Sequence, residues 1–343
     1  MPAFLTHCIF AEEVFESIDF DRIGASNIKS ELQSRNPLYL LGAQGPDIFF
    51  YYKARPWQKN DGLGELGMMM HDTIVSGFFS ESAEYIKVFL KAGSRFYSIL
   101  SYMLGYVCHF SLDKNAHPFI HYYSGIDTNK DRTTHKYFNY HKKYEAILDA
   151  YMWKKSRGTD ANKSRASELI DTGGKYNETL KSFYFYIINR IYKFGINERQ
   201  VEIALYDTAK LLNEFRDPTG AKSVFFRALE SIFGKKGDIT SLLYPKNLEE
   251  FGDFLNLEKR TWPHPCNEKL AFNTSFPEIY SAAKNEASRL AEDYIMYATG
   301  RVTKMDFNSG FGFSYATGSG FGTIPALKYY DCIFEKNPQV NIL

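Results

Sequence analysis

The chain has no long apolar run. None of its 343 residues falls in a segment approaching the roughly 18 consecutive apolar positions that a membrane-spanning helix needs, so no transmembrane segment is expected. The opening "MPAFLTHCIFAEEVFE" has no basic stretch leading into an apolar one, and acids arrive by Glu12, so it does not read as a signal peptide. Cysteine is scarce: Cys8, Cys108, Cys266 and Cys332 are scattered without CxxC spacing, which fits free thiols in a reducing compartment better than a disulfide framework. These absences together lead to the expectation of a cytoplasmic protein. Charge of one sign is missing too. With 41 basic and 40 acidic residues, a net charge of +1 and a pI of about 7.6, nothing general draws the chain to nucleic acid or to an anionic membrane. An anionic substrate must then be held by a local site. Strand-like alternation is sparse and no repeat of fixed period occurs, which excludes solenoids and makes an extensive sheet unexpected.

What is present is apolar, aromatic and helical. A content of 44% hydrophobic and 17% aromatic residues suffices for a large core, and 24% charged residues is ordinary for a globular chain. Apolar residues recur at three and four in 81–93, 95–113, 135–155, 180–194, 199–216 and 277–300, with polar or Gly-containing connectors near 58–67, 124–134, 157–175 and 234–247. We read an all-α fold of about ten helices, one multi-helix domain over residues 1–302 followed by a Gly/aromatic-rich segment, 303–343. Within that segment, "FNSGFGFSYATGSGFGT" (307–323) is open to reading as a hairpin, a flap or a flexible tail.

The histidines are not spread evenly. His7, His71, His109, His117, His121, His135 and His141 lie in the first 141 residues, and His264 stands apart in "WPHPC". On a helix, residues four apart share a face. His109 and Asp113 in "HFSLD" therefore project together, and so do His141 and Glu145 in "HKKYE"; the sequence Asn-Ala-His-Pro is expected to end the first of these helices near His117. Any one such pair is more often an intrahelical ion pair or a satisfied core histidine. Likewise Asp47 in "GPD" is a good turn former, His71 after three methionines is a plausible core-edge residue, and the aromatic runs 49–52 and 183–187 are ordinary packing. As a set, however, several imidazoles and carboxylates are costly to bury without a cation, and two rigid helices carrying such pairs can hold a borderline metal such as zinc.

The order "THCIF", "GPD", "H", "HFSLDKNAHP", "HKKYE" resembles the bacterial zinc-dependent phospholipase C family, distantly similar to zinc-dependent single-strand nucleases. The resemblance covers residues 1–150 by motif and the helical remainder to about 300 more loosely. It implies an all-α fold and a cluster of two or three zinc ions. Asp47, His71, His109 and Asp113 would hold one ion; His117, His141 and Glu145 a second; His7 and the other oxygen of Asp113 a third. The pattern departs in three ways. No tryptophan opens the chain, so Pro2 stands where an N-terminal ligand would be; the gap from Asp113 to the next histidine is four residues, which leaves His121 as a rival to His117, with Pro118 favouring His117; and His135 has no place in the pattern.

The implied chemistry is metal-assisted phosphodiester hydrolysis. Closely spaced zinc ions lower the pKa of water from near 15.7 toward about 7 and neutralise phosphoryl oxygens, with Asp47 as the residue to orient or deprotonate the attacking water. The expected substrate is a phospholipid or a smaller phosphodiester, with transient contact at a membrane surface and no specific nucleic-acid partner. Two alternatives share the motifs: a nuclease or phosphatase using the same cluster, and a non-catalytic helical binding protein that inherited the fold.

Overall fold

The three-and-four spacing of apolar residues closes into helix along most of the chain. A computed structural model describes residues 4–55, 58–59, 61–89, 93–128, 131–233, 237–320 and 325–336. The position of Pro2 lies outside them. Among the described residues are fourteen α-helices: α1 (Phe4–Ser17), α2 (Ser26–Gln33), α3 (Asn36–Gly42), α4 (Leu63–Asp72), α5 (Val75–Glu84), α6 (Ser94–Ser124), α7 (Lys136–Arg157), α8 (Ala166–Leu169), α9 (Asn177–Ile191), α10 (Glu198–Glu214), α11 (Ala221–Phe233), α12 (Phe276–Ala298), α13 (Phe307–Phe311) and α14 (Ile333–Lys336). The one sheet among these residues is an antiparallel pair, β1 (Trp262–His264) and β2 (Asn267–Phe272). The fold is all-α, as expected, with more helices than the periodicity shows. The shortest of them, α8 and α14 at 4 residues and α13 at 5, complete too few turns to display a period.

Helix α6 is the axis of the molecule. From Phe96 to Ser124 every residue except Tyr97, Asn115 and His121 is buried, because α1, α3, α7, α9 and α12 pack around it. A helix buried on all sides needs apolar residues all round, which the run "YSILSYMLGYVCHF" supplies. The crossing with α3 is closest where two glycines meet backbone. A Cβ at Gly42 would lie 2.0 Å from the Tyr102 carbonyl oxygen, and one at Gly105 2.0 Å from that of Tyr39.

The structure corrects one expected boundary. Helix α6 does not end at Asn-Ala-His-Pro but continues through Pro118 to Ser124. An internal proline costs about 3 kcal/mol by removing one hydrogen bond and crowding the previous turn. Tertiary packing outweighs that cost here: Phe119, Ile120, Tyr122 and Tyr123 are all buried, with Phe119 against Trp262, Tyr144 and Phe276. His117 therefore sits one regular turn beyond Asp113 on a continuous helix.

The Gly/aromatic segment is folded onto the helical body. Asp306 caps α13, its carboxylate accepting from the Asn308 and Ser309 amides, and Phe311 stacks on Phe79 at 3.9 Å between ring centroids. A bridge between Phe313 and Gly320 then closes a short hairpin. Its tip packs into the gap beside Pro118, where a Cβ at Gly318 would stand 2.7 Å from the Lys114 carbonyl, the acceptor that proline leaves without a helical donor.

The close crossing yields a test. Gly105→Ala is expected to lower the unfolding free energy by about 2 kcal/mol or more through overpacking, read as a fall in the urea midpoint at constant slope; an unchanged midpoint would mean that α3 and α6 do not approach this closely.

Candidate metal centre

Asp113 is the hub of a buried cluster. Its Oδ1 lies 3.1 Å from His7 Nε2, and its Oδ2 lies 3.1 Å from His109 Nε2, 3.9 Å from His71 Nε2 and 3.7 Å from His117 Nδ1. On one side His71 Nε2 reaches Asp47 Oδ1 at 3.2 Å. On the other, Glu145 Oε1 stands 3.1 Å from His141 Nε2 and 3.5 Å from His117 Nε2. All eight positions singled out in the sequence thus meet in one connected group. Three sets within it place one donor atom each within 4.8 Å of one another: His7, His109 and Asp113; Asp47, His71 and His109; His117, His141 and Glu145.

Several donors are positioned by an identifiable local device. His7 rides on α1, whose first turn is held by Asp149: the carboxylate accepts from the Leu5 and Thr6 amides at 3.0 and 2.7 Å and from the Thr6 hydroxyl at 2.7 Å. Asp149 lies one turn beyond Glu145 on α7, so a single helix carries His141 and Glu145 and also fixes the helix that bears His7. Burial pushes the Asp149 carboxyl up to about 6, against these hydrogen bonds, which favour its charged form. Asp47 lies in the 3-10 turn Gly45–Phe49. Gly45 takes a left-handed conformation there, with φ of 54°, and a Cβ on it would come within 2.2 Å of the His109 ring. Glycine is what lets this turn lie flat against the cluster.

Three imidazoles are oriented by backbone carbonyls. Nδ1 of His71 lies 2.7 Å from the Gly67 oxygen, Nδ1 of His109 3.2 Å from that of Ala43, and Nδ1 of His117 3.0 Å from that of Tyr315. A carbonyl only accepts, so Nδ1 carries a proton in each case and Nε2 faces the cluster, offering its lone pair when the ring is neutral. This is the tautomer in which histidine binds a metal through Nε2.

The electrostatics describe a site short of positive charge. Asp47, Asp113 and Glu145 are all buried. Burial opposes ionisation of Asp113, yet His109, His117 and His7 hold its carboxyl well below the usual range; His141 and His117 do the same for Glu145. Burial also disfavours charge on the imidazoles, but the carboxylates override it, raising His7 through Asp113, His71 through Asp47, and His117 to about 9 through Asp113 and Glu145. His109 is the exception, lowered by burial and by neighbouring His7.

Hydrogen bonds do not use up this set. Asp47 Oδ1, His109 Nε2, Asp113 Oδ2 and Glu145 Oε2 are buried without an aligned hydrogen-bond partner, although three of them stand within 3.2 Å of a neighbouring donor atom. Leaving such atoms unsatisfied costs about 1–3 kcal/mol each, more for charged groups. Atoms that converge without pairing are what a cation between them would satisfy, and nitrogen and carboxylate donors suit zinc.

The remaining histidines fall outside the three sets. The half-buried His121 ring lies 4.8 Å from that of His141 and 5.7 Å from that of His117, and burial drives its imidazole far down, to the neutral form. His135 is exposed at the start of α7. His264 accepts the Cys266 amide at Nδ1 and donates from Nε2 to the Thr317 carbonyl at 3.0 Å, tying β1 to the C-terminal hairpin. Two contributors escaped the sequence reading. Asp149 was within reach of it, four residues after Glu145 and eight after His141 on one helical face. Tyr315 was not: its carbonyl meets His117 and its ring packs on His71 and His109 at 5.0 and 5.7 Å, contacts that no local pattern announces.

A cavity lined by Phe4, Tyr51, Lys142, Asp149, Arg216 and Tyr244 among others lies against another side of α7, and none of the eight clustered donors lines it. Lys142 is one residue on from His141, and Arg216 brings a second cation to the wall.

Removing Asp149 tests its positioning role. Asp149→Ala strands the Leu5 and Thr6 amides and is expected to cost about 1–3 kcal/mol of stability, together with weaker metal retention in a chelator titration; Asp149→Asn keeps one acceptor and should recover part of both. Equal metal retention in all three proteins would show that α1 is held by other means.

The model of the family described as "Zinc dependent phospholipase C" matches residues 6–194, the stretch that holds all eight clustered donors. No curated protein matches the chain in sequence, and no solved structure matches it in fold. With more than half of its residues matched and an all-α fold that draws these histidines and carboxylates into one buried cluster, the chain belongs to the zinc dependent phospholipase C family.

Proposed function

We propose that the chain is a zinc-dependent phosphodiester hydrolase of phospholipase C type, acting on a phospholipid or a smaller phosphodiester. The observation that carries this reading is the convergence of Asp47, His7, His71, His109, Asp113, His117, His141 and Glu145 with buried donor atoms left unpaired. In it, Asp47, His71, His109 and Asp113 serve one ion, His117, His141 and Glu145 a second, and His7 with the free edge of Asp113 a third. Zinc bound there supplies positive charge that polarises a phosphoryl oxygen and lowers the pKa of water.

The protein's own groups do the rest. The carbonyls of Gly67, Ala43 and Tyr315 fix the histidine rings before substrate arrives, so little reorganisation is left for the reaction itself. Asp113, with both oxygens facing imidazoles, links the sets that share it. Asp47, whose Oδ1 is buried without an aligned hydrogen-bond partner, is the group to orient the attacking water and take its proton. Each zinc ion carries two positive charges, so two ions outweigh the three carboxylates and attract a phosphodiester anion without a basic surface.

Metal content and a substrate panel test the reading. Elemental analysis is expected to find two or three zinc ions per chain, chelator to abolish activity, and His109→Ala to lose metal and activity together. Among phosphatidylcholine, a chromogenic phosphodiester and single-stranded DNA, the first two should be cleaved; cleavage of DNA alone would favour a nuclease, and zinc-loaded protein inert to all three would overturn the proposal. Asp47→Asn keeps an oxygen donor but cannot take a proton, so kcat should fall about 10²–10⁴-fold with zinc content retained.

A further inference from the structure

Helix α11 is built inside out. Its sequence, AKSVFFRALESIF, is strongly amphipathic, yet the apolar side faces solvent: Val224, Phe225, Ile232 and Phe233 are 70, 58, 75 and 71% exposed. Spaced at one, three and four residues, Val224, Phe225, Ala228 and Ile232 form one continuous outward stripe. Glu230, an acid, is the buried residue of the helix.

This arrangement is actively held. Glu230 accepts from the Gly237, Ile239 and Thr240 amides and from the Thr240 hydroxyl. At the other end the Asp217 carboxylate accepts from the Gly220, Lys222 and Ser223 amides and the Ser223 hydroxyl. Both anchors grip the side that carries Ser223 and Glu230, where Phe226 and Leu229 are half-buried, so Val224, Phe225 and Ile232 cannot turn inward without breaking them. Exposing four large apolar side chains forfeits burial worth about 1.5–3 kcal/mol each, so the stripe needs an occupant.

We infer that α11 is an interfacial helix that seats the protein on an anionic phospholipid surface. The charge pattern fits: α11 itself carries Lys222 and Arg227 against a single acid, the buried Glu230, and Lys235 and Lys236 follow in the sequence; of the flanking acids, Asp217 is used up capping the helix and Asp238 is exposed beyond Gly237. Phenylalanine and isoleucine on one side with lysine and arginine around them is the composition of helices that lie in the headgroup region. A second copy of the chain is a poor fit. A 13-residue helix is about 20 Å long and about 10 Å wide, so its face offers on the order of 200 Å² against the roughly 800 Å² per partner of a stable dimer. Position supports the membrane as well. Arg216 and Leu242, on the segments leading into and out of α11, both line the cavity that Lys142 and Asp149 of α7 also line, and Lys143 of α7 donates to the Leu243 carbonyl, so α11 is tied to the helix that carries His141 and Glu145. Docking through α11 brings the rim of that cavity to the lipid surface. The inference rests on the phospholipid reading of the substrate.

Co-sedimentation of the full, zinc-loaded chain with vesicles tests it, using phosphatidylcholine alone and an equal mixture with phosphatidylglycerol, in the cold. The protein is expected to pellet with the mixed vesicles and to be released by high salt. Phe225→Ser/Ile232→Ser is expected to bind at least about tenfold more weakly while its circular dichroism and its hydrolysis of a soluble chromogenic phosphodiester stay unchanged. Equal vesicle binding by the double variant overturns the proposal, as does wild-type protein that stays in the supernatant, or sedimentation as a dimer that the variant dissolves. If vesicles are bound through α11 but no phosphodiester is cleaved, the catalytic reading fails and the docking helix stands.

Discussion

Burying ionisable groups at the centre of a helical core is the constraint on which this structure turns. Asp47, Asp113 and Glu145 sit buried among five imidazoles, and an uncompensated carboxylate there would cost several kcal/mol. Much of the surrounding architecture can be read as compensation. The glycine-mediated contact of α3 with α6 brings the Ala43 carbonyl to His109. Asp149 ties α1 to α7 so that His7 arrives beside Asp113. The C-terminal hairpin lays Tyr315 over the cluster, its carbonyl against His117. What these devices leave unsatisfied is a set of lone pairs that face one another, and a divalent cation answers that need better than any further side chain.

Helix α6 carries two functions on one surface. Most of its residues are ordinary core, but His109, Asp113 and His117 at intervals of four form a polar stripe along it. Such a stripe inside a core is tolerated because four elements beside it are committed to it: α1, α4, α7 and the 3-10 turn at Gly45–Phe49 all present donors. The passage of the helix through Pro118 belongs to the same logic. Aromatic burial beyond the proline keeps His117 in helical register, and the hairpin occupies the space beside the carbonyl that the proline abandons.

Helix α11 follows the reverse rule. There the polar side is tied down and the apolar side is left outward, on segments that also line the cavity against α7. A buried charged centre and an exposed apolar helix are each unfavourable for an isolated globule, and each is held in place by the hydrogen bonds around it.

The sequence by itself determined the fold class and the identity of the clustered groups, because both are written in short-range spacing. A period of three to four residues specifies helix, and a histidine four residues from a carboxylate specifies a shared face. Pro118 misled that reading because a local rule took no account of Phe119 and Tyr123 burying their rings farther on. The amphipathic pattern of "SVFFRALESIF" does not say which side faces the body; that depends on Glu230 finding three amides in a later loop. Only the tertiary structure decided that the hairpin covers the cluster, that the Gly67, Ala43 and Tyr315 carbonyls set the histidine tautomers, and that eight donors from five elements converge. Those facts depend on distances between residues as much as 198 positions apart, set by how whole helices pack and carried by no local pattern.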